Sequence, residues 1–184
     1  MKPLFLAASL ALFPLIARAQ SVPDNHLAEP GVRLGRVFLG DSRAAVERRL
    51  GKPSRSFVLG RGLSSQLWRS KTTSDTGARN TLEVVYRGNS IVQIEGTSLV
   101  WQTPRGLSLS SKRAAWEDAL GAPIERTYQN IESGDRKRYL DWKSAGVALE
   151  LVEDETQENV YTYQTLIIHR RGVPVIIDRD LKRQ

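Results

Sequence analysis

Read along the chain, the spacing of apolar residues changes once, and the same change restarts further on. Between Arg43 and Leu50, Val46 and Leu50 fall at i, i+4 among alanines and charged residues, the spacing of one helical face. Asp41 offers an acceptor to the free amides of a first turn. Gly51 suits the left-handed conformation that ends a helix, and Pro53 prevents continuation. The period then shortens to two. Residues 56–59 and 64–70 read as strands about the turn Gly60-Arg61-Gly62, and a polar stretch over 71–80 follows. Residues 82–86 and 91–95 form a second hairpin about Arg87-Gly88-Asn89.

Seventy residues after Arg43 the pattern begins again. Arg113-Ala114-Ala115-Trp116-Glu117-Asp118-Ala119-Leu120-Gly121-Ala122-Pro123 matches Arg43-Ala44-Ala45-Val46-Glu47-Arg48-Arg49-Leu50-Gly51-Lys52-Pro53 at seven of eleven positions without a gap. The segment is not of low complexity, so the match marks a duplicated unit. Ser111 stands where Asp41 stood, and Trp116 and Leu120 repeat the apolar face. Strands are predicted over 138–143, 147–152 and 162–169, with the acidic turn from Glu153 to Glu158 between the last two. Helices of about ten residues need a sheet to pack on, and short turns join only antiparallel strands. The expected fold class is therefore α+β, as two tandem helix-plus-antiparallel-sheet repeats at 31–103 and 104–172. Residues 20–30 read as a flexible leader and 173–184 as a tail or edge strand, with Pro174 keeping any such strand off the sheet centre.

The first 19 residues follow a different logic. Lys2 precedes an apolar stretch over 4–16 interrupted by Ser9 and Pro14, and Ala17-Arg18-Ala19 places small residues where a signal peptidase reads them. The stretch is shorter than the ~20 apolar residues of a membrane span. The expected product is cut between Ala19 and Gln20 and exported, periplasmic or secreted, with no transmembrane segment in the mature chain.

Composition narrows the chemistry. The 184 residues include no cysteine and two histidines, which excludes disulfides, thiol catalysis, thiolate zinc sites and a lipid-modified cysteine anchor. His26 and His169 are accompanied by no Gly-x-Ser-x-Gly, His-Glu-x-x-His or phosphate-loop motif. The chain is read as non-enzymatic, without cofactor or metal. The 153–158 turn lacks the spacing of a calcium loop and reads as a solvated connection. The net charge of +7 loses two positive charges with Lys2 and Arg18. What remains sits in the first unit, where 12 Lys+Arg face 5 Asp+Glu; the second has 10 against 11. Such a unit suits an acidic protein, anionic lipid head groups or a cell-wall polymer. Export argues against nucleic acid. Trp68 and Trp142 occupy equivalent places in the two units, suiting either shared packing or shared binding.

The run Gly40-Asp41-Ser42-Arg43-Ala44-Ala45-Val46 into Leu50-Gly51-Lys52-Pro53, with Leu67-Trp68-Arg69 and the 82–95 hairpin, resembles the SmpA/OmlA (BamE) family of outer-membrane assembly proteins. In tandem, the units also resemble the β-lactamase inhibitor protein fold. The second unit departs at Ser110 and Trp116, and the family's acylated cysteine is absent. The resemblance implies a small exported binding module of the cell envelope. The expected function is recognition of an envelope protein through the sheet surface, by Trp68, Arg69, Arg87, Tyr139 and Trp142. The alternative is an envelope-maintenance accessory that binds anionic lipid head groups or polymer through the basic first repeat.

Overall fold

The computed structural model describes residues 25–73, 79–129, 136–154 and 157–177; residues 1–19, read above as an export signal, lie outside the described residues. Three strands of two residues each, β1 (Ala28–Glu29), β2 (Arg33–Leu34) and β3 (Val37–Phe38), form a small antiparallel sheet. Ala28, Leu34 and Val37 are buried, and the Ala28 amide donates to the Gln102 carbonyl at 2.7 Å. The segment beginning at Asn25 is thus tied to the 97–103 connection rather than hanging from it.

Helices α1 (Arg43–Leu50) and α2 (Arg113–Leu120) occupy the duplicated segments. Their caps sit one residue later than Asp41 and Ser111. Ser42 is extended and its hydroxyl accepts from the Ala45 amide at 3.3 Å, while Lys112 holds the equivalent position without a side-chain cap. Asp41 accepts instead from the Phe38 amide and pairs with Arg49; the Ser111 hydroxyl accepts from the Ser108 amide. Both side chains therefore brace the approaching chain. Each helix stops on glycine, Gly51 at φ 80° and Gly121 at φ 82°, where an added Cβ would meet open space. Positive φ, not crowding, selects the residue there.

The remaining strands are β4 (Arg55–Val58), β5 (Leu63–Thr73), β6 (Arg79–Arg87), β7 (Ser90–Gly96), β8 (Ile124–Gln129), β9 (Arg136–Trp142), β10 (Val147–Asp154) and β11 (Gln157–His169). They form one antiparallel sheet in the order β4-β5-β6-β7-β11-β10-β9-β8. This corrects the expected α+β class of two helix-plus-sheet repeats. The described residues are mostly β, with 50% strand and 12% helix. The cause is the pairing of β7 with β11, Leu166 opposite Gly96 and Ile168 opposite Ile94. Each would otherwise end its half of the sheet with an unpaired, largely apolar edge, and joining them removes both edges.

Alternation along the strands sorts the residues between two faces. On the helix side, Val46 and Trp116 pack on Val84, Ile94, Leu149 and Ile168 in one core drawn from both copies. Trp116 stacks on Trp142 with ring centroids 5.5 Å apart. Among the described residues, no helix lies on the opposite face. Residues 173–177 cross it as an irregular strap, burying Val175 and Ile177 against Tyr139, Ala148 and Ile167.

Candidate functional site

The strap is held by side chains that the strands aim at it. Asp141 on β9 is buried, and its carboxylate accepts from the Val175 amide at 3.1 Å. Gln93 on β7 makes a two-way pair with Ile176: its carbonyl accepts from the amide at 2.8 Å and its NH2 donates to the carbonyl at 3.0 Å. Arg126 on β8 donates to the Val175 carbonyl at 2.7 Å and lies 3.4 Å from Asp141. His169 Nε2 lies 3.1 Å from Asp141 Oδ1 without the alignment of a hydrogen bond. A segment with no regular structure thereby satisfies its buried backbone groups through side chains.

On one side of the strap lies a polar recess of ≈ 250 Å³, lined by Thr81, Glu83, Glu95, Thr97, Lys137, Glu150 and Thr165. Glu83 and Glu95 stand directly opposite each other on β6 and β7. Glu83 accepts from the Ser65 hydroxyl at 2.7 Å, and Glu95 from the Gln93 NH2 at 2.7 Å. Glu150 accepts from Tyr139 at 2.7 Å and from Lys137 at 3.2 Å. Among the described residues, three carboxylates and one ammonium give the recess an acidic balance. On the other side lies a second recess, of ≈ 350 Å³, lined by Arg61, Arg87, Arg126 and Arg170 over apolar walls. The order can be followed along the chain after Thr165: Thr165 faces the acidic recess, Ile167 underlies the strap, and Arg170 faces the basic recess. Opposite charges thus flank one apolar ridge.

The residues expected to bind do not assemble into one surface. Trp142 is buried and its Nε1 donates to the Gly121 carbonyl at 2.6 Å. Trp68, half-buried, repeats that bond to Gly51 at 3.0 Å. Both indoles therefore secure the end of a helix on the helix side of the sheet. Tyr139 is buried beneath the strap on the opposite side. The expected aromatic interface of Trp68, Tyr139 and Trp142 is corrected accordingly: two of the rings fill the interior, and the rings are divided between the faces because strand alternation separates them. Arg69 is exposed on β5, opposite Thr81, beside the acidic recess. Arg87 is exposed and lines the basic one. Missing from the sequence reading were Arg61, Arg126, Arg170, Glu83, Glu95, Lys137 and Glu150. For Glu83, Glu95 and Glu150 the available signal was a charge on the polar side of an alternating strand.

Burial pushes the Tyr86 hydroxyl up to about 12, with Arg43 opposing that shift. The ring lies under the Arg43 guanidinium, and its hydroxyl donates to Gln66 Oε1 at 2.9 Å. Burial also raises Tyr163, and hydrogen bonds to Glu117 and Glu125 raise Arg113. Tyr86 packs in the helix-side core, and Arg113 is an exposed residue of α2 paired with Glu117 and Glu125. Of the acidic turn, Glu153 pairs with Arg136 at 3.8 Å; residues 155–156 lie outside the described residues. Among the described residues no cluster of His, Asp or Glu is placed to hold a metal ion. Among them, too, no helix is long and apolar enough to cross a membrane.

No family model matches the chain, and no curated protein matches it. Solved structures align with it, two of them as follows. One is a cysteine-rich secretory protein from Staphylococcus aureus subsp. aureus Mu50, at 11% identity and TM-score 0.43, covering 82% of this chain and 49% of that one. The other is an extracellular protein containing an SCP domain from Bacillus anthracis str. Ames, at 8% identity and TM-score 0.46, covering 73% and 44%. The chain spans about half the length of each. The resemblance to the SmpA/OmlA (BamE) family and to the β-lactamase inhibitor fold is corrected: no family model matches the chain, and the described residues form one continuous eight-stranded sheet with two short helices, not separate helix-plus-sheet repeats.

Proposed function

We propose that the chain is an exported, non-enzymatic binding module that recognises another protein of the cell envelope through the helix-free face of its sheet. The observation that carries this reading is the pair of oppositely charged recesses flanking the strap, a pattern suited to fixing the register of one partner and repelling others. A protein partner with basic side chains over the acidic recess and acidic ones over the arginines would match it. The ridge of the strap would supply apolar contact between the two charged sites.

Capture on immobilised protein at moderate salt tests the reading. Wild type is expected to retain a defined envelope protein, and Glu95→Lys to lose it by reversing a charge in the acidic recess. Ala44→Lys, on the exposed surface of α1, is expected to retain it. Loss on the helix substitution with retention by Glu95→Lys would reverse the assignment of faces.

A further inference from the structure

The arginine recess has properties that protein recognition does not require. Its four guanidiniums come from separate places: Arg61 from the β4–β5 turn, Arg87 from the end of β6, Arg126 from β8 and Arg170 from the chain after β11. Both copies of the duplicated unit contribute, although the second has no excess of positive charge. Among the described residues, no carboxylate lines the recess. Arg126 is committed to the Val175 carbonyl and to Asp141. Arg87 and Arg170 are exposed and have no ion-pair partner among the described residues. Leu63, Val92, Pro174 and Val175 form apolar walls beside them.

The geometry points to this recess as a binding site for a phosphate ester whose ester group rests on the apolar wall. Two uncommitted guanidiniums suit a group with more than one negative oxygen, because each planar fork donates two parallel hydrogen bonds to adjacent oxygens. A phosphoryl group presents up to three such oxygens and up to two charges; a carboxylate presents two oxygens and one charge. The apolar wall then favours an organic ester over free phosphate. The cavity volume lies at the small end of the range for ligand pockets, enough for a head group and its first carbons. This site is on the face used in the protein-recognition reading but does not depend on it.

Calorimetric titration with inorganic phosphate and with glycerol 1-phosphate, together with sedimentation on phosphatidylglycerol and phosphatidylcholine vesicles, tests the inference. The double variant Arg87→Gln/Arg170→Gln changes two exposed side chains and is expected to melt as wild type does. Glycerol phosphate is expected to bind wild type about tenfold or more tightly than the double variant. Binding to glycerol phosphate identifies a soluble ester as sufficient. Binding confined to phosphatidylglycerol vesicles, and lost in the double variant, assigns the phosphate to a lipid head group. An Arg48→Gln/Lys52→Gln variant, altered to the same net charge near α1, is the control. Equal loss in both variants, or no binding to any probe, overturns the inference. Failure of the wild type to capture an envelope protein, with its phosphate binding intact, would strike the recognition reading alone.

Discussion

Trp142→Ala is expected to cost about 3–5 kcal/mol of folding stability, the range for deleting a fully buried aromatic side chain. Three losses coincide at this position: the buried indole, its stack on Trp116, and the hydrogen bond that closes the end of α2 on the Gly121 carbonyl. Trp68 makes the corresponding bond to Gly51, but it is half-buried, and Val46 stands where Trp116 would stack. Trp68→Ala should therefore cost visibly less, about 2 kcal/mol. Urea unfolding of both variants measures the asymmetry. Equal losses would mean that the two indoles do the same work and that the stacked pair adds nothing.

The second large effect is expected at Asp141. Its carboxylate meets the strap's backbone, Arg126 and His169 together. Replacing it with alanine leaves the buried Val175 amide without this acceptor and Arg126 without its buried counter-charge. Removal of one partner from such an arrangement typically costs about 3–5 kcal/mol. Asp141→Ala should therefore destabilise the fold by about 3 kcal/mol and bring the Val175 and Ile176 amides to fast hydrogen exchange. Asp141→Asn keeps an acceptor for the Val175 amide and should lose less. If the Val175 amide stays protected in Asp141→Ala, Gln93, Arg126 and the apolar contacts hold the strap without Asp141.

Sequence patterning revealed local elements and little of their assembly. The helices were legible because i, i+4 spacing and terminal glycines act within ten residues. The paired strands about Gly60-Arg61-Gly62 and Gly88-Asn89 were legible because turn glycines separate them, and in β6 and β7 alternation also survives where one face is buried. Strand β8 was missed because Ile124–Gln129 is an exposed edge, which buries too little to impose a pattern. Strands β1, β2 and β3 are too short to show any period. The fusion of the two copies rests on Leu166 meeting Gly96, a contact across 70 positions that no local rhythm announces. Gly96 is itself informative in hindsight, since a Cβ there would fall 2.6 Å from the Trp101 ring nitrogen. The site was less legible than the fold. Arg61, Arg87, Arg126 and Arg170 have no regular spacing, and charge totals by unit conceal a recess to which both units contribute. The aromatic residues drew attention because tryptophan anchors many interfaces. In a chain without disulfides the same rings are needed in the core.

The central claim is that recognition takes place on the helix-free face of the sheet. A photoreactive amino acid placed at Thr97 or Lys137 in that face, and at Ala44 or Ala114 on the exposed surfaces of the helices, tests it directly in intact cells. The account predicts a discrete crosslinked protein from the first pair and none from the second. Crosslinks from Ala44 and Ala114 alone would place the partner on the helices and contradict it.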